Sequence, residues 1–319
     1  MQDLTAFHSL SAALGSDPLR VQGPGGNTSI KDGATMWIKA SGTELADAIS
    51  KDIFVAVDRA AACRHAHGDG DGSCKDTVLD PAITLRPSIE TTFHAALDWA
   101  VIAHTHSIAA LTHGASLQGC AVAAQKLGGL EAAFVPYAKP GLPLTRAILA
   151  RVTVKTQVIV LENHGLICCA NTVAKVSALI DEVERRLEMP VLRPAINAAP
   201  DTLPPEGFDW AAESWIAQDP QMTALAVSGS YYPDHVVFLG PALPLNDHGG
   251  RPPAVLVAGV GILVRKDATA SQRAMLRCLS DFLSRLPHDC PPRAIGTAAE
   301  AELLDWDAEK YRQALAQRQ

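Results

Sequence analysis

Three histidines stand where they could share one metal ion. His104 and His106 alternate along a predicted strand that begins with the apolar run 101–103. Alternate residues of a strand project from the same face, so both imidazoles can reach one ion. His164 lies in a predicted turn beside Gly165, where little obstructs its approach to a metal. A histidine packed in a core is the ordinary alternative for each residue, but the end of a strand is where sites in α/β proteins tend to lie.

Glu90 offers a carboxylate for the same chemistry. Pro87 and Ser88 predict that a helix begins here and runs to about Trp99, which places Glu90 in the first turn, one turn before His94. From that end of a helix a carboxylate can act as a fourth metal ligand or as a general base. An acid at this position is by itself an ordinary stabilising helix charge. Beside three histidines, it indicates a metal site with an adjacent acid.

Two turns of small residues could bind an anion. The loop 25–29, with the sequence GGNTS, and the turn 41–43, with the sequence SGT, offer exposed backbone N–H groups and hydroxyls. Ser88 adds a hydroxyl next to the positive end of the helix dipole. Each turn alone is a weak indication, because glycine turns are common.

A second H-x-H pair, His65 and His67, falls in the Gly- and Asp-rich segment 65–75. It has no strand-like apolar context, so we expect a mobile surface loop in which both imidazoles are solvated.

Helical and strand periods alternate from the N-terminus to a helix at Val173–Leu187, which predicts an α/β fold. Prolines and small polar residues then break every period between residues 190 and 205. We therefore predict a first domain over 1–190, a linker over 191–209 and a C-terminal α/β extension over 210–319 that packs on the first domain.

The extension contains a possible copy of part of the first domain. Residues 254–264 can be laid on residues 158–168 at a constant offset of 96 without a gap, and a predicted helix follows each segment. Gly261 then falls on Gly165, but Val260 falls on His164. Either the extension is a degenerate repeat that has lost its polar site group, or the likeness is the coincidence that any strand-glycine-strand-helix unit can produce.

Composition excludes several classes of function. The 319 residues are 48% hydrophobic and 19% charged, with a net charge of −7 and no basic run, so we expect neither nucleic-acid nor membrane binding. No apolar run is long enough to span a bilayer. The seven cysteines include no C-x-x-C pair, which favours reduced thiols over disulfides or a zinc ribbon. A cytoplasmic protein with a small-molecule partner is expected.

The order of these motifs resembles the class II aldolase/adducin N-terminal family. The resemblance rests on GGNTS at 25–29, KASG at 39–42, PSIE at 87–90 with His94, HTH at 104–106, VPY at 135–137 and NHGL at 163–166. The segments PSIETTFHA and AHTHSIAALT are most similar to the aldolase portion of bifunctional rhamnulose-1-phosphate aldolase/lactaldehyde dehydrogenase proteins. The resemblance covers about residues 4–190 and includes no dehydrogenase portion.

This resemblance implies a three-layer α/β/α fold around a mixed sheet. It also implies a divalent metal, most often Zn²⁺, and a homo-oligomer, typically a tetramer with sites between subunits. Carried over residue by residue, the metal ligands would be His104, His106 and His164, and the acid/base carboxylate would be Glu90. The phosphate or anion pocket would be lined by Gly26, Asn27, Ser41, Gly42 and Ser88.

The activity that the resemblance implies is that of a metal-dependent lyase. It would cleave a ketose, expected to be phosphorylated, through a metal-stabilised enediolate. A sugar-phosphate epimerase or dehydratase of the same family is the nearest alternative. A non-catalytic, adducin-like binding module is another, but such modules lack the histidine ligands. Two departures from fuculose-phosphate aldolases are Ile89, which stands where they have a second serine, and the absence of a clear match for their proton-donor tyrosine.

Overall fold

The computed structural model describes residues 4–193, 200–246 and 250–317, and packing divides the chain into two units, Met1–Glu188 and Met189–Gln319. The helices of the N-terminal unit are α1 (Thr5–Ser16), α2 (Arg59–Ala66), α3 (Thr91–Ala96), α4 (Ile108–Gly114), α5 (Leu117–Lys126), α6 (Leu142–Leu149) and α7 (Val173–Leu187). Its strands are β1 (Asn27–Asp32), β2 (Thr35–Lys39), β3 (Phe54–Asp58), β4 (Val101–Thr105), β5 (Ala132–Val135), β6 (Val158–Leu161) and β7 (Gly165–Ala170).

These seven strands form one sheet in the order β3-β2-β1-β4-β7-β6-β5. Neighbouring strands are antiparallel except for β5 and β6, which are parallel. The predicted mixed sheet is therefore confirmed. Strand β4 lies at its centre, between β1 and β7, and every residue of β4 is buried.

Helices cover both faces of the sheet. Val101 and Ala103 of β4 pack on one face in a core with residues of α1, α4, α5 and α7. Ile102 points to the other face and packs with residues of α3 and α6. The strict alternation of a strand thus gives β4 two buried faces, as a sheet between two helical layers requires. This arrangement confirms the predicted three-layer α/β/α fold.

The predicted helix from Pro87 to Trp99 is shorter in the structure, where α3 spans Thr91–Ala96. The backbone turns to an extended conformation at Leu97. There the buried Lys31 ammonium donates to the carbonyls of Leu97 and Trp99, which the sequence pattern did not reveal.

All seven cysteines are free thiols. Within the described residues, no helix combines the length and apolar character needed to cross a membrane.

The C-terminal unit has a small sheet of its own. Its strands are β8 (Phe208–Trp210), β9 (Ala254–Val257) and β10 (Gly261–Arg265), in the order β8-β10-β9, and both pairings are antiparallel. Its helices are α8 (Trp215–Gln218), α9 (Pro220–Ser228), α10 (Pro233–Leu239), α11 (Ala270–Arg285), α12 (Thr297–Leu304) and α13 (Asp307–Ala316). Part of the predicted linker 191–209 already belongs to β8, and its residues 194–199 lie outside the described residues.

The hairpin β9–β10 matches the hairpin β6–β7 pair for pair. In the first hairpin Leu161 lies opposite Gly165 and Val158 opposite Cys168. In the second, residues 257 and 261 and residues 254 and 264 are paired, each 96 positions later. A long helix follows each hairpin, α7 in one case and α11 in the other. The offset noted in the sequence therefore holds in the strand register as well.

Candidate metal centre

The three predicted histidines converge on one point. His104 comes from β4, His106 directly follows that strand, and His164 lies in the turn between β6 and β7. Each offers one ring nitrogen, and these three atoms lie within 4.8 Å of one another. The ring centroids are 5.1 Å apart for His104 and His106, 4.9 Å for His104 and His164, and 5.3 Å for His106 and His164. All three side chains are buried.

The backbone at the start of β7 makes this convergence possible. Strands β4 and β7 are antiparallel neighbours, with Thr105 opposite Leu166. A Cβ on Gly165 would lie 2.3 Å from the Thr105 carbonyl oxygen and 3.2 Å from the His106 Cα. Only glycine lets the two backbones approach so closely. Asn163, two residues earlier, takes a left-handed φ of 54°, which turns the chain so that the next residue, His164, meets the other two histidines.

The His104 ring is held in one tautomer. Its Nδ1 lies 3.0 Å from the Leu166 carbonyl oxygen, which can only accept, so Nδ1 carries the proton. Nε2 then presents a lone pair to the site, where it is buried without a hydrogen-bond partner among the described residues. This atom lies 3.4 Å from Oε2 of Glu90. Two electron-rich atoms at that distance repel unless a cation or a proton lies between them, so the donor set fits a divalent metal.

Glu90 is in the position predicted for the adjacent acid. It directly precedes α3, is 4% exposed, and its Oε1 lies 3.6 Å from Nε2 of His164. The Asn27 amide donates to the other oxygen, Oε2, over 2.8 Å. The carboxylate thus lies next to the point on which the three imidazoles converge.

The residues predicted for an anion pocket lie around this carboxylate. Gly26 has a left-handed φ of 57°, and a Cβ there would lie 2.8 Å from the His104 carbonyl oxygen. The amide of Asn27 is 3.2 Å from the Ser88 hydroxyl. The turn at Ser41 and Gly42 lies against the segment before α3, where the Ser41 N–H donates to the carbonyl of residue 86 over 2.8 Å. The fold therefore brings Gly26, Asn27 and Ser88 next to the candidate metal centre, and it brings the turn at Ser41 and Gly42 next to the segment that leads to Glu90.

Two further residues of this region were part of the sequence motifs but were given no role there. The Lys39 side chain is 2% exposed and donates to the Pro24 carbonyl over 2.7 Å, which puts a cation beside the glycine loop. His94 is completely buried and contacts both Asn27 and Ser29. For His94, the available signal in the sequence was its spacing of one helical turn from Glu90.

The expectation for His65 was wrong. Its side chain belongs to α2 and is 5% exposed, with Nε2 3.1 Å from an oxygen of Asp76. The loop folds back so that the N–H of Gly72 points at the same ring. His67, in contrast, is exposed as expected.

Comparison with known proteins gives a family match, a curated relative and similar solved structures. Residues 13–191, more than half of the chain, match the family model described as the Class II Aldolase and Adducin N-terminal domain. A curated protein of Bacillus subtilis (strain 168), named "Uncharacterized oxidoreductase YuxG", is 28% identical over 198 residues, and the match covers 55% of this chain and 28% of that protein. The chain thus spans little more than a quarter of that relative's length.

Among solved structures, the N-terminal class II aldolase domain of a conserved protein from Thermoplasma acidophilum is similar with a TM-score of 0.51 and 26% identity, over 58% of this chain and 92% of the other. An L-fuculose 1-phosphate aldolase has a TM-score of 0.40 and 19% identity, over 59% of this chain and 84% of its own. In both cases the matched part of this chain is about as long as its N-terminal unit.

Proposed function

The chain belongs to the class II aldolase and adducin N-terminal family, and on that premise we propose that it is a metal-dependent aldolase. The reaction would be the reversible cleavage of a carbon–carbon bond in a ketose, expected to be phosphorylated. The observation that carries this proposal is the convergence of three buried imidazoles with the carboxylate of Glu90 beside them. The finer likeness to rhamnulose-phosphate aldolases stays a prediction.

His104, His106 and His164 would hold the ion. A divalent cation, expected to be Zn²⁺, supplies a fixed positive charge that stabilises the negative charge of an enediolate. Neutral imidazoles would hold that ion without adding charge of their own.

Glu90 would move the proton. In the cleavage direction Glu90 would take the proton of a substrate hydroxyl, the carbon–carbon bond next to that hydroxyl would break, and an aldehyde would leave. The electron pair of that bond stays with the other fragment as an enediolate, whose carbon must then gain a proton. Because Oε2 of Glu90 receives the Asn27 N–H, Oε1 is the atom that can carry this proton. No lysine Schiff base is needed.

The surroundings of the centre favour an anionic substrate. Gly26, Asn27, Ser41, Gly42 and Ser88 would line the anion pocket, and backbone N–H groups of such turns bind phosphate. The ammonium of Lys39 beside the glycine loop adds a positive charge in a buried place, where Coulomb interactions are strong. A family-like homo-oligomer, a tetramer by resemblance, is part of the same proposal, and light scattering of the purified protein would measure it.

Metal analysis of the purified protein tests the proposal. We expect about one equivalent of divalent metal per chain, and we expect His104→Ala to lower this content by at least about tenfold, since a structural ligand is lost. His67→Ala is the matched control, because that imidazole is exposed and away from the site. Incubation of the loaded protein with a panel of ketose 1-phosphates should release an aldehyde, which a coupled reductase can detect.

Three results would each point elsewhere. A product with the same number of carbon atoms would indicate an epimerase, and loss of water would indicate a dehydratase. A protein that binds no metal after loading and does not respond to chelators would be a binding module of the adducin type.

A further inference from the structure

Four buried side chains form one line of hydrogen bonds that ends at Glu90. The Ser29 hydroxyl lies 2.7 Å from Nδ1 of His94, and Nε2 of His94 lies 2.5 Å from Oδ1 of Asn27. The Asn27 amide nitrogen then donates to Oε2 of Glu90 over 2.8 Å and also lies 3.2 Å from the Ser88 hydroxyl. All of these residues are at most 5% exposed.

The direction of each bond follows from the chemistry of its atoms. An ionised carboxylate only accepts, so Asn27 must point its NH₂ group at Glu90 and its oxygen at His94. His94 must then carry its proton on Nε2, and Ser29 donates to Nδ1. Burial lowers the pKa of His94 well below its usual value, with further lowering from the nearby His104 and Lys31, so the ring stays neutral. A neutral ring with one N–H and one lone pair satisfies both neighbours.

We propose that His94 is a positioning residue, which fixes the Asn27 amide so that an N–H, and not a carbonyl oxygen, faces the Glu90 carboxylate. Without the His94 donor the amide can rotate by half a turn, and its oxygen would then repel the carboxylate. Glu90 would lose both a hydrogen bond and its fixed direction relative to the three histidines. This inference rests on the proposed role of Glu90 as the acid/base group.

Replacement of His94 should therefore lower the rate and leave substrate binding nearly unchanged. We expect His94→Phe to reduce kcat about 30-fold, in the range found when a supporting hydrogen bond behind a metal site is removed. KM should stay within about threefold and metal content should be unchanged. His94→Gln keeps an N–H donor at the same reach and should restore kcat to within about threefold of the original protein.

A matched control comes from the same helix. Thr92 is completely buried in α3, and its hydroxyl bonds that of Thr145 in α6 over 2.6 Å and not Glu90 or Asn27. Thr92→Val should cost stability through the same kind of lost buried hydrogen bond and leave kcat unchanged.

A second measurement needs no activity. In the metal-free protein, ¹⁵N spectra of the histidine rings should show His94 as the neutral Nε2–H tautomer throughout the neutral pH range. A His94 that is charged, or protonated on Nδ1, would overturn the proposal even if the protein proved to be no aldolase. Equal losses of kcat in His94→Phe, His94→Gln and Thr92→Val would overturn it too, since that pattern marks a merely structural residue.

A separate observation concerns the C-terminal unit. Gly259 in the β9–β10 turn has a φ of 72°, where the β6–β7 turn has Asn163 at 54°. The N–H of Val260 donates to the Val257 carbonyl over 3.0 Å, as that of His164 does to Leu161 over 3.2 Å. Residues 259 and 260 lie 96 positions after residues 163 and 164, so the two turns have the same backbone conformation and the same hydrogen bond.

The strand that pairs with the second strand of each hairpin also matches. In the N-terminal unit His104 of β4 lies opposite Ile167. In the C-terminal unit Trp210 of β8 lies opposite Leu263, the residue 96 positions later. By this correspondence, His104 matches Trp210 and His106 matches Ala212, two residues further along the chain. His164 matches Val260.

We infer that the C-terminal unit is a degenerate copy of the metal-binding part of the N-terminal unit, in which the backbone has been kept and the ligands have been lost. Restoring the ligands tests this. In a protein whose own centre is silenced by His104→Ala and His106→Ala, we expect Trp210→His, Ala212→His and Val260→His together to bind one Co²⁺ with a tetrahedral visible spectrum and micromolar affinity.

The control variant has the same number of histidines but moves one of them to the other face of β8. Asp209 is exposed and neighbours Trp210 in β8, so its side chain points to the opposite side of the strand. Asp209→His with Ala212→His and Val260→His should bind Co²⁺ at least about tenfold more weakly. Equal affinity in the two variants, or binding in neither while circular dichroism shows both folded, would overturn the inference.

Discussion

Replacing Glu90 by glutamine should lower kcat by about 10³-fold, which corresponds to about 4 kcal/mol in the activation free energy. Glutamine has the shape of glutamate, and its carbonyl oxygen can still accept the Asn27 N–H. What it cannot do is carry a proton to or from the substrate carbon. Steady-state kinetics with the ketose that releases an aldehyde would measure the loss.

The same variant distinguishes two roles for Glu90, an acid/base group and a fourth metal ligand. Its short distances to His104 and His164 are compatible with both roles. An acid/base group lowers kcat and leaves the metal content unchanged, because the three imidazoles remain. A fourth ligand would lower metal affinity as well. Glu131→Gln, at an exposed position, is the control for the loss of one carboxylate. A kcat within about tenfold of the original protein would show that Glu90 is not the proton carrier.

The convergence of the candidate metal ligands could be predicted in part because the strand period is two. His104 and His106 share a face wherever β4 lies in the sheet, and a polar pair after an apolar run marks the strand end. His164 was harder, since it meets the pair only through the antiparallel register of β4 and β7. The resemblance to a known family supplied what local periodicity could not.

The hydrogen-bonded line behind Glu90 could not be predicted in this way. Asn27 and His94 are far apart in sequence and meet because β1 pairs with β4, which places Asn27 opposite His104. Nothing in the sequence around His94 distinguishes a positioning residue from an ordinary core histidine. The burial of His65 was missed for a similar reason, because a glycine-rich segment folded back over it.

The second large effect concerns Gly165. Gly165→Ala should lower the free energy of unfolding by about 3 kcal/mol, the upper part of the range for overpacked interiors. The added Cβ would lie 2.3 Å from the Thr105 carbonyl oxygen, which is backbone and cannot rotate away. Strands β4 and β7 would have to separate, and His164 would move relative to His104 and His106. A displacement of about 1 Å at such a site costs about 10²-fold in rate.

The degenerate copy supplies a matched control for this prediction. Gly261 has the same place in the β9–β10 hairpin, but a Cβ there would first meet the Ser214 hydroxyl at 2.8 Å and Pro200 at 3.0 Å, which are side-chain and not backbone atoms. Gly261→Ala should therefore cost only about 1 kcal/mol and leave metal content and rate unchanged. Urea unfolding followed by metal analysis would compare the two. Equal losses of stability, or a Gly165→Ala protein that keeps its full metal content and rate, would mean that the close approach of β4 and β7 does not hold the three imidazoles in place.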